Sequence, residues 1–120
     1  MKTTDLTPEY IESLYLKHGL VPCSRTMRAP LLSETGPRIG CCALGAFAYE
    51  KNLLGTDGKN LRDVFLNTLE DSDACLWFAF GFDDGFEGFN GSGVLDPSPA
   101  YKSGRAVGVH IRKLRLEKKL

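Results

Sequence analysis

The sequence predicts a mostly α fold: one domain over residues 1–120, about five helices, and room for a small β-hairpin within residues 20–38. Three observations carry this. The chain has 120 residues, 42% of them hydrophobic and 25% charged, which suits one globular core and is too short for two. Apolar residues mostly recur three and four apart rather than alternating. The pairs Thr7-Pro8 and Ser98-Pro99 each set a capping hydroxyl before a proline at the first helical position.

The first helix follows Thr7 and carries Ile11, Leu14, Tyr15 and His18 on one stripe, with Gly19 as its stop. From Leu20 to Arg38, Pro22, Pro30, Gly36 and Pro37 interrupt any period. This reads as a long ordered loop in which Val21–Met27 or Leu31–Ser33 can form short strands. Ile39–Leu54 reads as a central Ala- and Leu-rich helix ending at Gly55. Asp57 or Asn60 caps a third helix to about Leu69, with Leu61, Val64 and Phe65 inward. Ser72 caps a fourth from Asp73 to about Phe86, with a buried strand at Cys75–Phe82 as the competing reading. Gly88–Gly93 is a turn, and Ser98 opens the last helix, whose inner stripe is Tyr101, Gly104, Gly108 and Ile111. The expected core is Leu44, Phe47, Leu61, Phe65, Trp77, Phe80, Tyr101 and Ile111. Nothing repeats at a fixed period, which excludes a solenoid.

Formal net charge is zero, so the whole chain is no electrostatic magnet for nucleic acid or membrane. The charges are segregated, however. Asp57 to Asp96 holds nine acids against Lys59 and Arg62, and Pro97 to Leu120 holds seven Lys/Arg against Glu117. The two segments either neutralise each other locally or leave a basic helix free to meet a polyanion. No signal-peptide layout and no bilayer-length apolar run is visible, so a cytoplasmic protein away from membranes is expected. Cys23, Cys41, Cys42 and Cys75 are then expected as free thiols.

Gly81, Gly85 and Gly88 fall within one helical segment, in Gly81-Phe82-Asp83-Asp84-Gly85-Phe86-Glu87-Gly88. A mid-helix glycine costs about 1 kcal/mol against alanine, so three require a reason. Close helix–helix packing supplies one. The partner is the last helix, with Gly104 and Gly108 four apart and Tyr101 one turn earlier. The pairing is within the chain or, alternatively, between two chains of a homodimer. Residues 76–108 resemble the Gly/aromatic helical hairpins of ribosome modulation factor-like proteins, and the resemblance implies a hairpin fold and a ribosomal or RNA partner. The sequence departs from that family with Tyr101 where tryptophan is favoured, and with acids at Asp83, Asp84 and Glu87.

Candidate chemistry is sparse. Cys41 or Cys42 at a helix N-terminus suits an activated thiol, with His110 or His18 as base, and hence a cysteine-dependent hydrolase or transferase. The bland alternative is two small core residues. Zinc needs paired ligands two to four residues apart, twice. Adjacent Cys41 and Cys42 with isolated Cys23 and Cys75 do not supply them, so no metal and no cofactor is expected. Asp83, Asp84 and Glu87 lack an EF-hand pattern. Phosphate-loop and dinucleotide fingerprints are absent. The sequence therefore points to a small non-enzymatic interaction protein, an adaptor or inhibitor of a protein or ribonucleoprotein partner. Its expected contact residues are Asp83, Asp84, Glu87, Lys102, Arg105, Arg112 and Lys113. Direct RNA binding through the basic last helix is a further alternative.

Overall fold

The computed structural model describes residues 1–27, 29–33, 36–53, 65, 68–69, 72–89 and 97–120. Among these, four α-helices stand: α1 (Pro8–His18), α2 (Ala43–Glu50), α3 (Ser72–Glu87) and α4 (Pro99–Leu116), after a 3-10 turn at Thr3–Asp5. The mostly α class holds, with four helices among the described residues against the five or so expected. The further helix expected from Asp57 or Asn60 to Leu69 falls almost wholly outside the described residues.

Local chemistry sets the ends of α1 and α4. Thr7 Oγ1 accepts the Tyr10 N–H at 3.2 Å, and Ser98 Oγ accepts the Tyr101 N–H at 3.2 Å, each satisfying an otherwise orphaned amide. Gly19 closes α1 in the left-handed region at φ 63°. Ile11, Leu14 and Tyr15 are buried, as their spacing requires.

Three strands lie between α1 and α2: β1 (Val21–Pro22), β2 (Ala29–Ser33) and β3 (Gly36–Cys41). β3 is central, antiparallel to β2 and parallel to β1, with Gly40 opposite both Ala29 and Val21. The hairpin allowed within residues 20–38 is therefore present, but it runs on to Cys41. This corrects the expected helix start at Ile39. Ile39, Gly40 and Cys41 belong to the strand, Cys42 is the extended N-cap of α2, and the helix ends at Glu50. Two neighbouring strands outweigh the helical preference of the Ala- and Leu-rich run. A Cβ on Gly40 would stand 2.6 Å from both Cys23 Sγ and Leu31 Cδ1, so only glycine lets those side chains close over β3.

α3 and α4 form a hairpin in which backbone meets backbone. A Cβ at Gly81 would stand 2.8 Å from the Arg105 nitrogen, and one at Gly85 2.9 Å from the Val109 nitrogen. From the other side, a Cβ at Gly104 would stand 2.8 Å from the Phe78 carbonyl carbon, and one at Gly108 2.7 Å from the Phe86 nitrogen. The glycine faces thus pack within the chain. Gly88 is not part of this seam. It ends α3 at φ 87°, a turn conformation that glycine adopts without strain.

The core gathers Phe47, Leu44, Phe65, Phe78, Phe82, Val107, Ile111 and the inner face of α1. Leu44, Phe47, Phe65, Tyr101 and Ile111 are buried as expected, and Leu61 lies outside the described residues. Trp77 and Phe80 are not in the core. They are 44% and 55% exposed, because α3 turns Phe78 and Phe82 into the core and Gly81 and Gly85 against α4, which leaves Trp77 and Phe80 on its outer face. No helix among the described residues is long and apolar enough to cross a membrane.

Candidate functional site

The outward stripe of α3 runs Asp73, Trp77, Phe80, Asp84, spaced four, three and four apart and so on one helical face. Trp77 and Phe80 meet edge-on with ring centroids 6.0 Å apart, and Trp77 meets Tyr101 of α4 at 6.4 Å. Tyr101 Oη donates to Asp84 Oδ2 at 2.6 Å. Burial, reinforced by that carboxylate, pushes the phenol up to about 12. The result is an aromatic surface with a polar clasp at one end. At the other end, an open groove of about 530 Å³ runs between Trp77, Lys2, Asp73, Ser98 and Ala100.

The expected contact residues divide into those with structural partners and those left exposed. Asp83 Oδ1 accepts the backbone N–H of Arg25 at 2.9 Å, and Glu87 receives the Arg25 guanidinium at 3.1 Å. Burial raises the Asp83 carboxyl, against the pull of the Arg25 amide. Arg105 donates to the Phe89 carbonyl and Arg112 to the Phe86 carbonyl, each at 3.1 Å. These two arginines satisfy carbonyls at the end of α3, where a helix leaves acceptors unpaired. The Arg105 Nε is buried with no hydrogen-bond partner among the described residues. Lys102 and Lys113 are exposed. The acidic helix end is thus held by Arg25 from the loop after β1, while the arginines of α4 serve α3 backbone.

The thiols sit at the β3–α2 junction. Cys41 is 1% and Cys42 6% exposed. Burial pushes the Cys41 thiol well above its ordinary range and raises Cys42 to about 11. That is the reverse of an activated nucleophile. The histidines are engaged elsewhere: His18 Nε2 lies 2.7 Å from Glu50 and His110 Nε2 2.7 Å from Glu12. At fixed pH, a rise from 9.0 to about 11 leaves roughly 100-fold less thiolate. Cys42 in the folded protein should accordingly alkylate with iodoacetamide at least about 100-fold more slowly than in urea, followed by mass spectrometry. Rapid labelling of folded Cys42 at neutral pH would restore the nucleophile reading.

The Glu50 pair makes a pH prediction. The Lys17 ammonium at 2.7 Å, joined by His18, holds the Glu50 carboxyl below its usual 4.5. A lowered folded-state value stabilises the protein above the unfolded value and is lost as pH falls through the folded one. Glu50→Gln should therefore melt lower than the parent at neutral pH, and the gap should close below about pH 4. Melting curves at the two pH values check this, and a gap that widens in acid contradicts it.

Sequence reasoning missed Trp77, Phe80, Arg25 and Met27. The aromatic pair had a signal, since a stripe with Asp73 and Asp84 at its ends faces water. Among the described residues, no group of three His, Cys, Asp or Glu could hold a metal ion. Comparison with protein-family models, with curated proteins and with solved structures finds no match for the chain.

Proposed function

We propose that the chain is a small non-enzymatic interaction protein, an adaptor or inhibitor that docks on a protein or ribonucleoprotein partner. The observation that supports this reading is the exposed Trp77–Phe80 pair on a backbone-locked hairpin. Large exposed aromatic surface costs free energy in water, and on a folded domain it marks contact sites. Tryptophan and tyrosine are enriched among the residues that dominate binding energy. A hairpin held by glycine seams loses little side-chain or backbone entropy on docking, which favours affinity. Exposed Asp73 at one end of the stripe and exposed Lys102 on α4 supply a polar margin. The likeness of residues 76–108 to ribosome modulation factor-like hairpins makes a ribosomal surface one form of the partner.

The test is capture on immobilised full-length chain from native lysate, split into nuclease-treated and untreated halves, with free chain as competitor. A partner that survives nuclease and is displaced by free chain supports a protein target. One that vanishes with nuclease supports a ribonucleoprotein. No competed partner in either half would overturn the proposal.

A further inference from the structure

A second feature lies away from the aromatic face. The loop Cys23–Met27 crosses the start of α2, where a Cβ on Gly45 would stand 2.9 Å from the Met27 carbonyl carbon. Two backbone bonds fix the loop there: Cys23 N–H to the Cys41 carbonyl at 3.0 Å and Cys42 N–H to the Thr26 carbonyl at 2.7 Å. Arg25, at φ 61°, pins it to Asp83 and Glu87 of α3. Such a backbone is unfavourable for a side-chain-bearing residue and is kept only where the surroundings enforce it. Between loop and helix lies a cavity of about 170 Å³ lined by Arg25, Thr26, Met27, Cys42, Ala79 and Asp83. Two sulfurs share it, Cys42 Sγ and Met27 Sδ, 3.9 Å apart.

We propose that this cavity binds one soft monovalent metal ion, of the Cu(I) or Ag(I) class, through the Cys42 thiolate and the Met27 thioether. Geometry is the first support. Two metal–sulfur bonds of about 2.3 Å that span 3.9 Å enclose an angle of roughly 115°, close to trigonal. Asp83 lines the same cavity. Ligand type is the second. Thiolate and thioether select soft ions, and a thioether contributes little to calcium or magnesium. Charge is the third. Binding releases the Cys42 proton to solvent and leaves a neutral thiolate–ion pair, which avoids an uncompensated buried charge at the sulfur. Cys42 is the N-cap of α2, and the positive end of a helix dipole favours the thiolate over the thiol. This site is independent of the docking reading.

The experiment uses the reduced full chain carrying Cys23→Ser, which removes the half-buried competing thiol. It is titrated anaerobically with Ag(I) nitrate, and with Cu(I) in acetonitrile, while native mass and near-ultraviolet thiolate–metal absorption are followed. One ion per chain is expected, with a raised melting temperature. Met27→Leu, similar in volume, should weaken binding about tenfold or more. Cys42→Ser, which places a favourable N-cap residue at the start of α2, should abolish the absorption. Equal affinity in Met27→Leu, absorption that persists in Cys42→Ser, or no stoichiometric ion would each overturn the proposal.

Discussion

Gly104→Ala should cost about 3 kcal/mol or more, a large share of a small domain's stability. On an exposed helix the same change would stabilise by up to about 1 kcal/mol, because alanine has the better helix propensity. Here the added methyl meets the Phe78 backbone, with the carbonyl carbon 2.8 Å away and the Phe78 Cα at 3.0 Å. No side chain can rotate aside, since the obstacle is the facing helix itself. α3 and α4 must separate, and separation loosens Phe78, Phe82 and Val107, all of them fully buried. Lys102→Ala, on the exposed side of the same helix, is the control and should be close to neutral. Urea unfolding of both variants checks the sign. A stabilised Gly104→Ala would show that the two backbones do not touch.

Replacing Trp77 and Phe80 together by alanine should leave the fold standing and remove partner binding. Both rings are about half exposed, so their truncation forfeits far less burial than loss of a core phenylalanine, which costs about 3–5 kcal/mol. At an interface the same rings become fully desolvated, and each is then worth about 2 kcal/mol or more. Two such losses weaken binding by roughly 1000-fold at RT of about 0.6 kcal/mol. Capture of the competed partner should therefore disappear while circular dichroism and melting stay near those of the parent. Full capture by the double variant would move the contact surface elsewhere, to Lys102 and Lys113 first.

The parts of this fold that were legible in the sequence are those set by neighbours along the chain. Thr7-Pro8 and Ser98-Pro99 fixed two helix starts because capping needs only an adjacent hydroxyl and amide. The spacing of Gly81, Gly85, Gly104 and Gly108 announced a tight hairpin because a missing Cβ at helical period has few other uses. What stayed hidden depends on distant partners. Ile39–Cys41 reads as helix until Val21–Pro22 and Ala29–Ser33 are seen to pair with it. Arg25 gave no hint that it would reach Glu87, or Arg112 that it would serve the Phe86 carbonyl. The aromatic run on α3 concealed its own division. Five large apolar residues between Leu76 and Phe82 exceed what one helical face can bury, and only the glycine seam decides which rings turn outward.

The docking face depends on that division, and the chain carries one tryptophan to report it. The direct measurement is the emission of Trp77 in the folded protein, with acrylamide quenching, before and after unfolding in urea. Emission close to that of tryptophan in water, readily quenched and little changed by urea, is the expected result. A blue-shifted, shielded emission that moves to the red only on unfolding would place the ring in the core and remove the docking face.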